Sequence, residues 1–369
     1  MTAPLRLCFV SSHGQLGGAE LALETLLGHV PRESIAAIAV LGPGPLLPRL
    51  RASGLPATGI GLENRAQLLL AAYALRRLVR RSRPSVVHAN GFRAAFVATL
   101  ALLRLDIPLV WQKHDLAREG RITNWVARRA AVVVGVSRAA VETFAYDPRV
   151  QTVVVRNGVS NRDVDRARGR ALVAEAVDVQ AETRIVGLVG RLHPGKGQLE
   201  LLEVMPDLRR GGNDTRVVFV GGADPTEPQY EQRVRERVDE LELTSCVSFL
   251  GHRDDAAVLI SGFDVLAVPS VRDPKSGWRE GFGLAAVEAL QAGTAVVGYA
   301  SGALPETLGD CATLVREGDT AALAAALADT LTTADPERTE RGRRLVREQF
   351  SIERAVATLS TVYVEAAAE

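Results

Sequence analysis

Short apolar runs bounded by turn residues recur along this chain, separated by stretches with helical spacing, and the alternation restarts once near the middle. LRLCFV, SIAAIAVL, SVVHA, PLVWQ, AVVVGVS and QTVVV precede Asn157-Gly158. A polar, charged segment follows, NRDVDRARGRALVAEAVDV, and then RIVGLVG, RVVFVGG, VSFLG, DVLAVPS, AVVGYA and ATLV form a second series. Strands that alternate with helices lie parallel, because each helix carries the chain back to the edge where the next strand begins. The pattern predicts an α/β architecture of two Rossmann-like lobes, residues 1–162 and 163–351, facing each other across a ligand cleft. With 369 residues, 47% of them apolar, the chain is long enough to bury two cores.

Composition narrows the function classes. Cys8, Cys246 and Cys311 lie far apart without paired spacing, so neither a disulfide framework nor a zinc site is expected. The opening MTAPLRLCFVSS holds an apolar run too short for a signal peptide, and no stretch reaches bilayer-spanning length. A cytoplasmic enzyme is the expectation, with no nucleic-acid partner. The net charge of +1 hides an asymmetry: residues 1–157 carry 20 Lys and Arg against 9 Asp and Glu, which is +11 and leaves −10 for the rest. A basic half of this kind suits an anionic acceptor, or peripheral contact with an anionic membrane at its inner face. Arg76, Arg77, Arg80, Arg81 and Arg83 concentrate the charge on one helix, and the plainer reading is a solvated face of an Arg-rich protein.

Within RDPKSGWREGFGLAAVEALQAG, Glu280 and Glu288 stand eight apart around a Gly-Phe-Gly turn. AVPS before it reads as a buried strand and Leu284 to Leu290 as a helix, while Gly281 and Gly283 permit close approach of backbone to a ligand. Unpaired amides at such a helix start attract phosphate. Cβ atoms tilt toward a helix N-terminus, so Glu288 leans back over whatever those amides hold. A carboxylate repels phosphate; Glu288 is therefore expected on ribose hydroxyls and Glu280 on those of an attached sugar. Two surface glutamates flanking a helix cap is the alternative.

Two more glycine loops follow strands. SSHGQLGGAELALETLL sets Gly14, Gly17 and Gly18 before a helix, with a spacing that is not G-x-G-x-x-G, and the second strand ends in LGPGP with no acid placed for a ribose. A dinucleotide cofactor is thereby disfavoured. VGLVGRLHPGKGQLELL sets Arg191 and Lys196 between a strand and a helix. A bidentate guanidinium and a mobile ammonium there suit a diphosphate leaving group without a metal. GRLHPGKG also opens like a P-loop, but Gly197 stands where a P-loop needs Ser or Thr for magnesium.

EGFGLAAVE, with these motifs in the same order over most of residues 5 to 354, resembles the E-x7-E signature of the retaining GT-B glycosyltransferases related to glycogen synthase and sucrose synthase, family GT4. The resemblance implies a GT-B fold whose terminal helix, about 352–369, crosses back onto an acceptor-binding first lobe, with the nucleotide sugar on the second. It implies metal-independent transfer without a cofactor, from a nucleoside-diphosphate sugar, a UDP-sugar first, to a hydroxyl of a small-molecule, lipid-linked or glycan acceptor. Configuration would be retained, the leaving diphosphate taking the acceptor's proton on the same face. His114, in LVWQKHDLAREG, and Glu280 are implied to be catalytic. Donor contacts are implied for Gly17, Gly18, Arg191, Lys196, Gly222, Arg253, Gly281, Phe282, Gly283, Leu284 and Glu288. Acceptor contacts are expected of His88 and Asn90, in VVHANGFRAAF, and of His13.

Some features stay open at this level. The family's base-holding loops act largely through backbone atoms, so uracil and guanine are not distinguished. VRDPKSGWRE is longer than the shortest family versions, Ser160 in NGVS replaces a frequent acid, and Lys113 and Asp115 have no assigned role. Asp163-Val164-Asp165 fits the D-x-D metal motif of another glycosyltransferase fold but lies in the connection between lobes, where it reads as coincidence. An epimerase or phosphorylase of the same fold, or a non-catalytic nucleotide-sugar binder, are the alternatives, and oligomeric state is not legible.

Overall fold

The computed structural model of the chain describes residues 5–368 apart from 117–119, 162–164, 178, 181 and 211–213. Asp163 and Val164 of the D-x-D triplet lie outside the described residues. Asp165 is a helix cap, its carboxylate accepting from the Ala167 amide at 2.8 Å.

Two compact units are formed, one from Met1–Ser160 with Phe350–Glu369 and one from Asn161–Gln349. In the first, the described strands are β1 Leu7–Ser11, β2 Ile35–Leu41, β3 Ala57–Ile60, β4 Val86–Asn90, β5 Leu109–Lys113, β6 Val132–Gly135 and β7 Thr152–Val154. They pair in parallel in the order β3-β2-β1-β4-β5-β6-β7. The second unit holds β8 Arg184–Val189, β9 Thr215–Val220, β10 Val247–Phe249, β11 Val265–Val268, β12 Ala295–Tyr299 and β13 Thr313–Val315, parallel in the order β10-β9-β8-β11-β12-β13. In both orders the series reverses direction beside the first strand, the arrangement that opens a crevice at the carboxyl ends of the strands.

Strand β3 was not expected from the sequence. ATGI is a sheet edge with its two middle residues exposed and a glycine among them, so it lacks the apolar run that marks the other strands. Most residues of the remaining strands are apolar because both sheet faces are covered, with His88, Asn90, Gln112 and Lys113 buried polar residues in β4 and β5. In the first unit, Val10, Leu75, Val79, Val87 and Trp111 fill one face, and Phe9, Leu26, Ile38, Ile352, Leu359 and Tyr363 fill the other. The terminal helix Ile352–Ala368 is thus part of the first unit's core, tied in where the Val159 amide donates to the Phe350 carbonyl at 2.8 Å. The second unit buries Leu188, Leu201, Met205, Phe219, Val234 and Leu327 around its sheet.

Arg76, Arg77, Arg80 and Arg81 lie on the helix Leu68–Ser82, and Arg83 caps it in the left-handed region (φ 47°). Among the described residues no helix is long and apolar enough to cross a membrane.

Candidate active site

In the second unit, the loop after β8 carries Arg191 and Lys196, and each cation is held by a carboxylate. Arg191 Nη1 lies 3.0 Å from Asp224 Oδ2, on the loop after β9, with Asp224 only 2% exposed and Arg191 46% exposed. Lys196 Nζ lies 2.6 Å from Glu280 Oε2. Both partnerships leave donors over: a guanidinium has five N–H groups and an ammonium three. The pairs therefore aim the cations without exhausting them.

Glu280 is 8% exposed, and its Oε1 accepts from the Gly283 amide at 3.2 Å. Burial works to raise the Glu280 carboxyl, but Lys196 and the amides of Gly283 and Phe282 outweigh it and hold the group below the usual carboxylate range. Asp224 is treated alike: burial raises it, while Arg191 and the hydroxyl and amide of Thr226 bring the balance below the ordinary value. Both acids are charged at neutral pH.

Gly283 begins the helix Leu284–Ala292 at φ 85°, a conformation that favours glycine. The reading that this turn's amides serve phosphate needs correction for Gly283, whose amide serves Glu280; Leu284 and Ala285 follow on the first turn. Glu288 is half-buried on the next turn, Leu284 is half-buried, and Gly281 is buried. Phe282 is 3% exposed, so its ring is core and only its main chain is available to a ligand.

Gly197 decides the P-loop question. It has φ 77°, and a Cβ there would lie 1.9 Å from the Pro269 carbonyl oxygen. The β11 loop occupies the space that the Ser or Thr of a P-loop would need.

Trp278, which the sequence did not single out, completes the loop's surroundings. Lys196 Nζ sits 5.1 Å from its ring centroid, and the His193 ring meets it edge-on at 5.4 Å. The longer segment that carries it closes on itself around Asp273, 2% exposed, whose carboxylate accepts from the Lys275 and Ser276 amides and the Ser276 hydroxyl. The Asp273 amide in turn donates to the Trp278 carbonyl at 2.9 Å. The extra residues thus form a built turn that seats an aromatic face beside the clamp lysine.

Two base-side candidates have internal roles. The Gly222 carbonyl accepts from the Leu192 amide at 2.9 Å. The Arg253 guanidinium grips Asp255 at 2.8 and 2.6 Å.

In the first unit, Asn90 ends β4 and links two elements. Its Nδ2 donates to the Ala19 carbonyl at 3.1 Å, which turns Oδ1 toward His114 Nε2 at 2.7 Å. Oδ1 accepts only, so His114 carries its proton on Nε2 and presents Nδ1 as a lone pair. That Nδ1 is buried and has no hydrogen-bond partner among the described residues. Burial pushes the imidazole down to about 4, with Asp115 raising and Lys113 lowering it, so it is neutral at pH 7. Lys113 Nζ donates to the Asp115 carbonyl at 2.6 Å and its carboxylate at 3.1 Å, closing the turn behind His114.

The acceptor expectations for His88 and Asn90 need correction. His88 is fully buried, its Nδ1 2.9 Å from the Tyr363 hydroxyl and its ring against Phe9, and burial with the neighbouring His114 drives it down to about 3. Alternation along β4 sends it into the core beneath the terminal helix. Asn90, also fully buried, orients His114 instead. His13 is exposed, with Nδ1 3.3 Å from Arg93. Gly17 is the extended cap before the helix Gly18–Leu27, and a Cβ at Gly18 would meet nothing within 4 Å.

Asp224, Trp278 and Tyr363 are what sequence reasoning missed. Asp224, two residues past Gly222, and Trp278, two before Glu280, stood close to noted motifs. Among the described residues no three His, Cys, Asp or Glu side chains group as a metal site.

Comparison with known proteins agrees with this arrangement. Residues 16–162 match the model of Glycosyltransferase Family 4, and residues 183–333 that of Glycosyl transferases group 1. A 2-deoxystreptamine N-acetyl-D-glucosaminyltransferase of Streptomyces fradiae is 30% identical, over 79% of this chain and 72% of that protein. A D-inositol 3-phosphate glycosyltransferase of Salinispora tropica is 29% identical over 77% of this chain, but the match spans only 64% of the relative's length. The crystal structure of Anabaena HepE with UDP-glucose shares the fold, with a TM-score of 0.85 at 23% identity, covering 98% of this chain and 100% of that one. Two units of parallel sheet with the clamp loop and the E-x7-E helix, matched by both family models, place the chain in glycosyltransferase family 4, with the GT-B fold.

Proposed function

We propose that the chain transfers a sugar from a nucleoside diphosphate to an acceptor hydroxyl with retention of configuration and without a metal. The observation that carries this is the second unit's clamp: Arg191 and Lys196 fixed on one loop by Asp224 and Glu280, with donors to spare. Charge develops on the leaving diphosphate as the glycosidic bond breaks, and two preorganised cations stabilise it there. Lys196 spans the two jobs, because the ammonium that meets phosphate also holds the carboxylate assigned to the sugar. Glu280 accepts hydrogen bonds from sugar hydroxyls, and Glu288 from the ribose. His114, neutral, accepts a hydroxyl hydrogen bond on Nδ1. The leaving diphosphate oxygen takes the acceptor's proton on the face it vacates, so no protein base is required.

A UDP-sugar heads the donor reading, since Anabaena HepE has been crystallised with UDP-glucose. The acceptors in the relatives' names, D-inositol 3-phosphate and 2-deoxystreptamine, are cyclitols and open the acceptor panel. The test is release of UDP from UDP-sugars in EDTA across that panel, with the anomeric configuration of the product read by NMR. An axial donor bond retained in the product supports the reading; inversion, or transfer only when metal is restored, overturns it.

A further inference from the structure

The helix Leu68–Ser82 buries Ala71, Ala72, Leu75 and Val79 and turns a second set of residues outward. At 3.6 residues per turn Leu69, Leu70, Tyr73, Arg77, Arg80 and Arg81 share the side opposite the buried stripe. A solvated helix face would be polar there. Instead Leu69 is 75% exposed, Leu70 69% and Tyr73 62%, three large apolar side chains within little more than one turn. Single exposed apolar residues are commonplace, whereas a contiguous set marks an interaction surface.

The rest of the face is cationic. Arg77, Arg80 and Arg81 are exposed, and none of the three is ion-paired among the described residues. The helix contains no Asp or Glu. Arg76 is committed elsewhere, its Nη1 donating to the Ala101 and Leu103 carbonyls at 2.7 Å each, and this contact sets exposed Leu103 and Arg104 beside the helix. At the other end Arg6 donates to the Ser82 and Arg83 carbonyls, adding two exposed cations. All strands of this sheet are parallel, so the helix starts on the edge where β4 ends in Asn90 and β5 leads to His114. The apolar end of the face is the end nearest that edge.

We propose that this face docks the chain on an anionic lipid bilayer. Leu69, Leu70 and Tyr73 enter the boundary between headgroups and acyl chains, while Arg77, Arg80 and Arg81 lie against lipid phosphates. Charge complementarity selects this occupant. A second copy of the chain docking by the same face would set two arginine clusters against each other with no acid on the helix to offset them. The proposal rests on the first unit's surface and is independent of the donor assignment. Docking there brings bilayer-borne acceptors to the strand-end edge that carries His114.

The test is co-sedimentation of the full chain with vesicles of phosphatidylcholine alone and of phosphatidylcholine mixed with phosphatidylglycerol. Binding is expected to the anionic vesicles only, and to fall as salt rises from about 0.1 M toward about 1 M, where the screening length shrinks to about 3 Å. Arg77→Gln and Arg81→Gln should each weaken it about fivefold. Leu69→Ser with Leu70→Ser should weaken it at unchanged charge, with thermal unfolding midpoints confirming that every variant folds. Absence of binding at low salt overturns the proposal. So does binding that the variants leave unchanged, or concentration-dependent self-association in the absence of vesicles that the Leu69→Ser, Leu70→Ser variant abolishes.

Discussion

Lys196 Nζ lies 2.6 Å from Glu280 Oε2 across 84 positions of sequence, and the ammonium rests 5.1 Å from the Trp278 ring centroid. In the proposed mechanism the pair joins the loop assigned to the diphosphate to the carboxylate assigned to the sugar. Lys196→Ala removes a transition-state cation, and leaves Glu280 charged and buried without its partner. Transfer should fall by about 100-fold or more in kcat. Glu280, its compensation gone, should also titrate higher, and the variant should lose about 1–3 kcal/mol of stability. Near-normal kcat at saturating donor would remove Lys196 from the mechanism.

Asp224, 2% exposed, holds Arg191 at 3.0 Å, and the proposed mechanism makes it a positioning residue. Asp224→Asn keeps size and hydrogen bonding but releases the guanidinium, so donor KM should rise about tenfold, the cost of a lost charge-assisted contact. Arg191→Lys, which keeps the charge without the fork, should not restore it. Steady-state kinetics on both variants, with circular dichroism to show an intact fold, decide the point. Unchanged kcat and donor KM in Asp224→Asn would contradict a positioning role.

Asn90 fixes the His114 tautomer from a position that no acceptor can reach. Asn90→Ala leaves His114 Nε2 and the Ala19 carbonyl unpaired, at about 1–3 kcal/mol, and frees the ring to turn. Asn90→Asp should restore the contact while raising the His114 pKa, because a carboxylate favours the imidazolium. The acid limb of the kcat pH profile should therefore move upward in Asn90→Asp. An unmoved limb with full activity would leave Asn90 a purely structural residue.

The two first-unit histidines also set an acid limit to stability. Burial lowers His114 to about 4 and His88 to about 3, below the roughly 6.5 of an unfolded histidine. Between those values the unfolded chain binds more protons than the folded one, so stability falls as pH falls; above about 6.5 neither contributes. Each fully titrating histidine adds up to about 1.4 kcal/mol per pH unit, and less for His114, which is partly exposed. Urea unfolding at pH values from about 7.5 down to about 4.5 should show the decline beginning near 6.5. His88→Phe, lacking one titration, should flatten it. Equal slopes in the two proteins would contradict the assignment.

The sheet strands were legible because burial on both faces makes them apolar runs, and β3 was not because an edge strand of four residues with exposed Thr58 and Gly59 carries no such run. Glycine loops were legible for a related reason: Gly197 and Gly283 have backbone angles that favour glycine. Pairings were not. Nothing local ties Arg191 to Asp224, or His88 to Tyr363 275 positions away: the first follows from the pairing of β8 with β9, the second from the packing of the terminal helix on the first sheet. His88 and Asn90 drew attention as polar groups at a strand end and share one face of β4; His88 lies under the covering terminal helix, while Asn90, at the strand's last residue, meets Ala19 and His114.

The most direct measurement is calorimetric titration of UDP and UDP-glucose into the chain in EDTA, alongside Arg191→Ala, Lys196→Ala and Glu288→Gln. Binding to the parent protein without metal is predicted, weakened about tenfold or more by the two cation variants and weakened by Glu288→Gln through the lost ribose contact. Glu280→Gln should weaken UDP-glucose more than UDP, because beyond holding Lys196 its contact is to the sugar. Binding that appears only when a divalent metal replaces EDTA, or that the cation variants leave unchanged, would contradict a metal-free clamp built from Arg191 and Lys196.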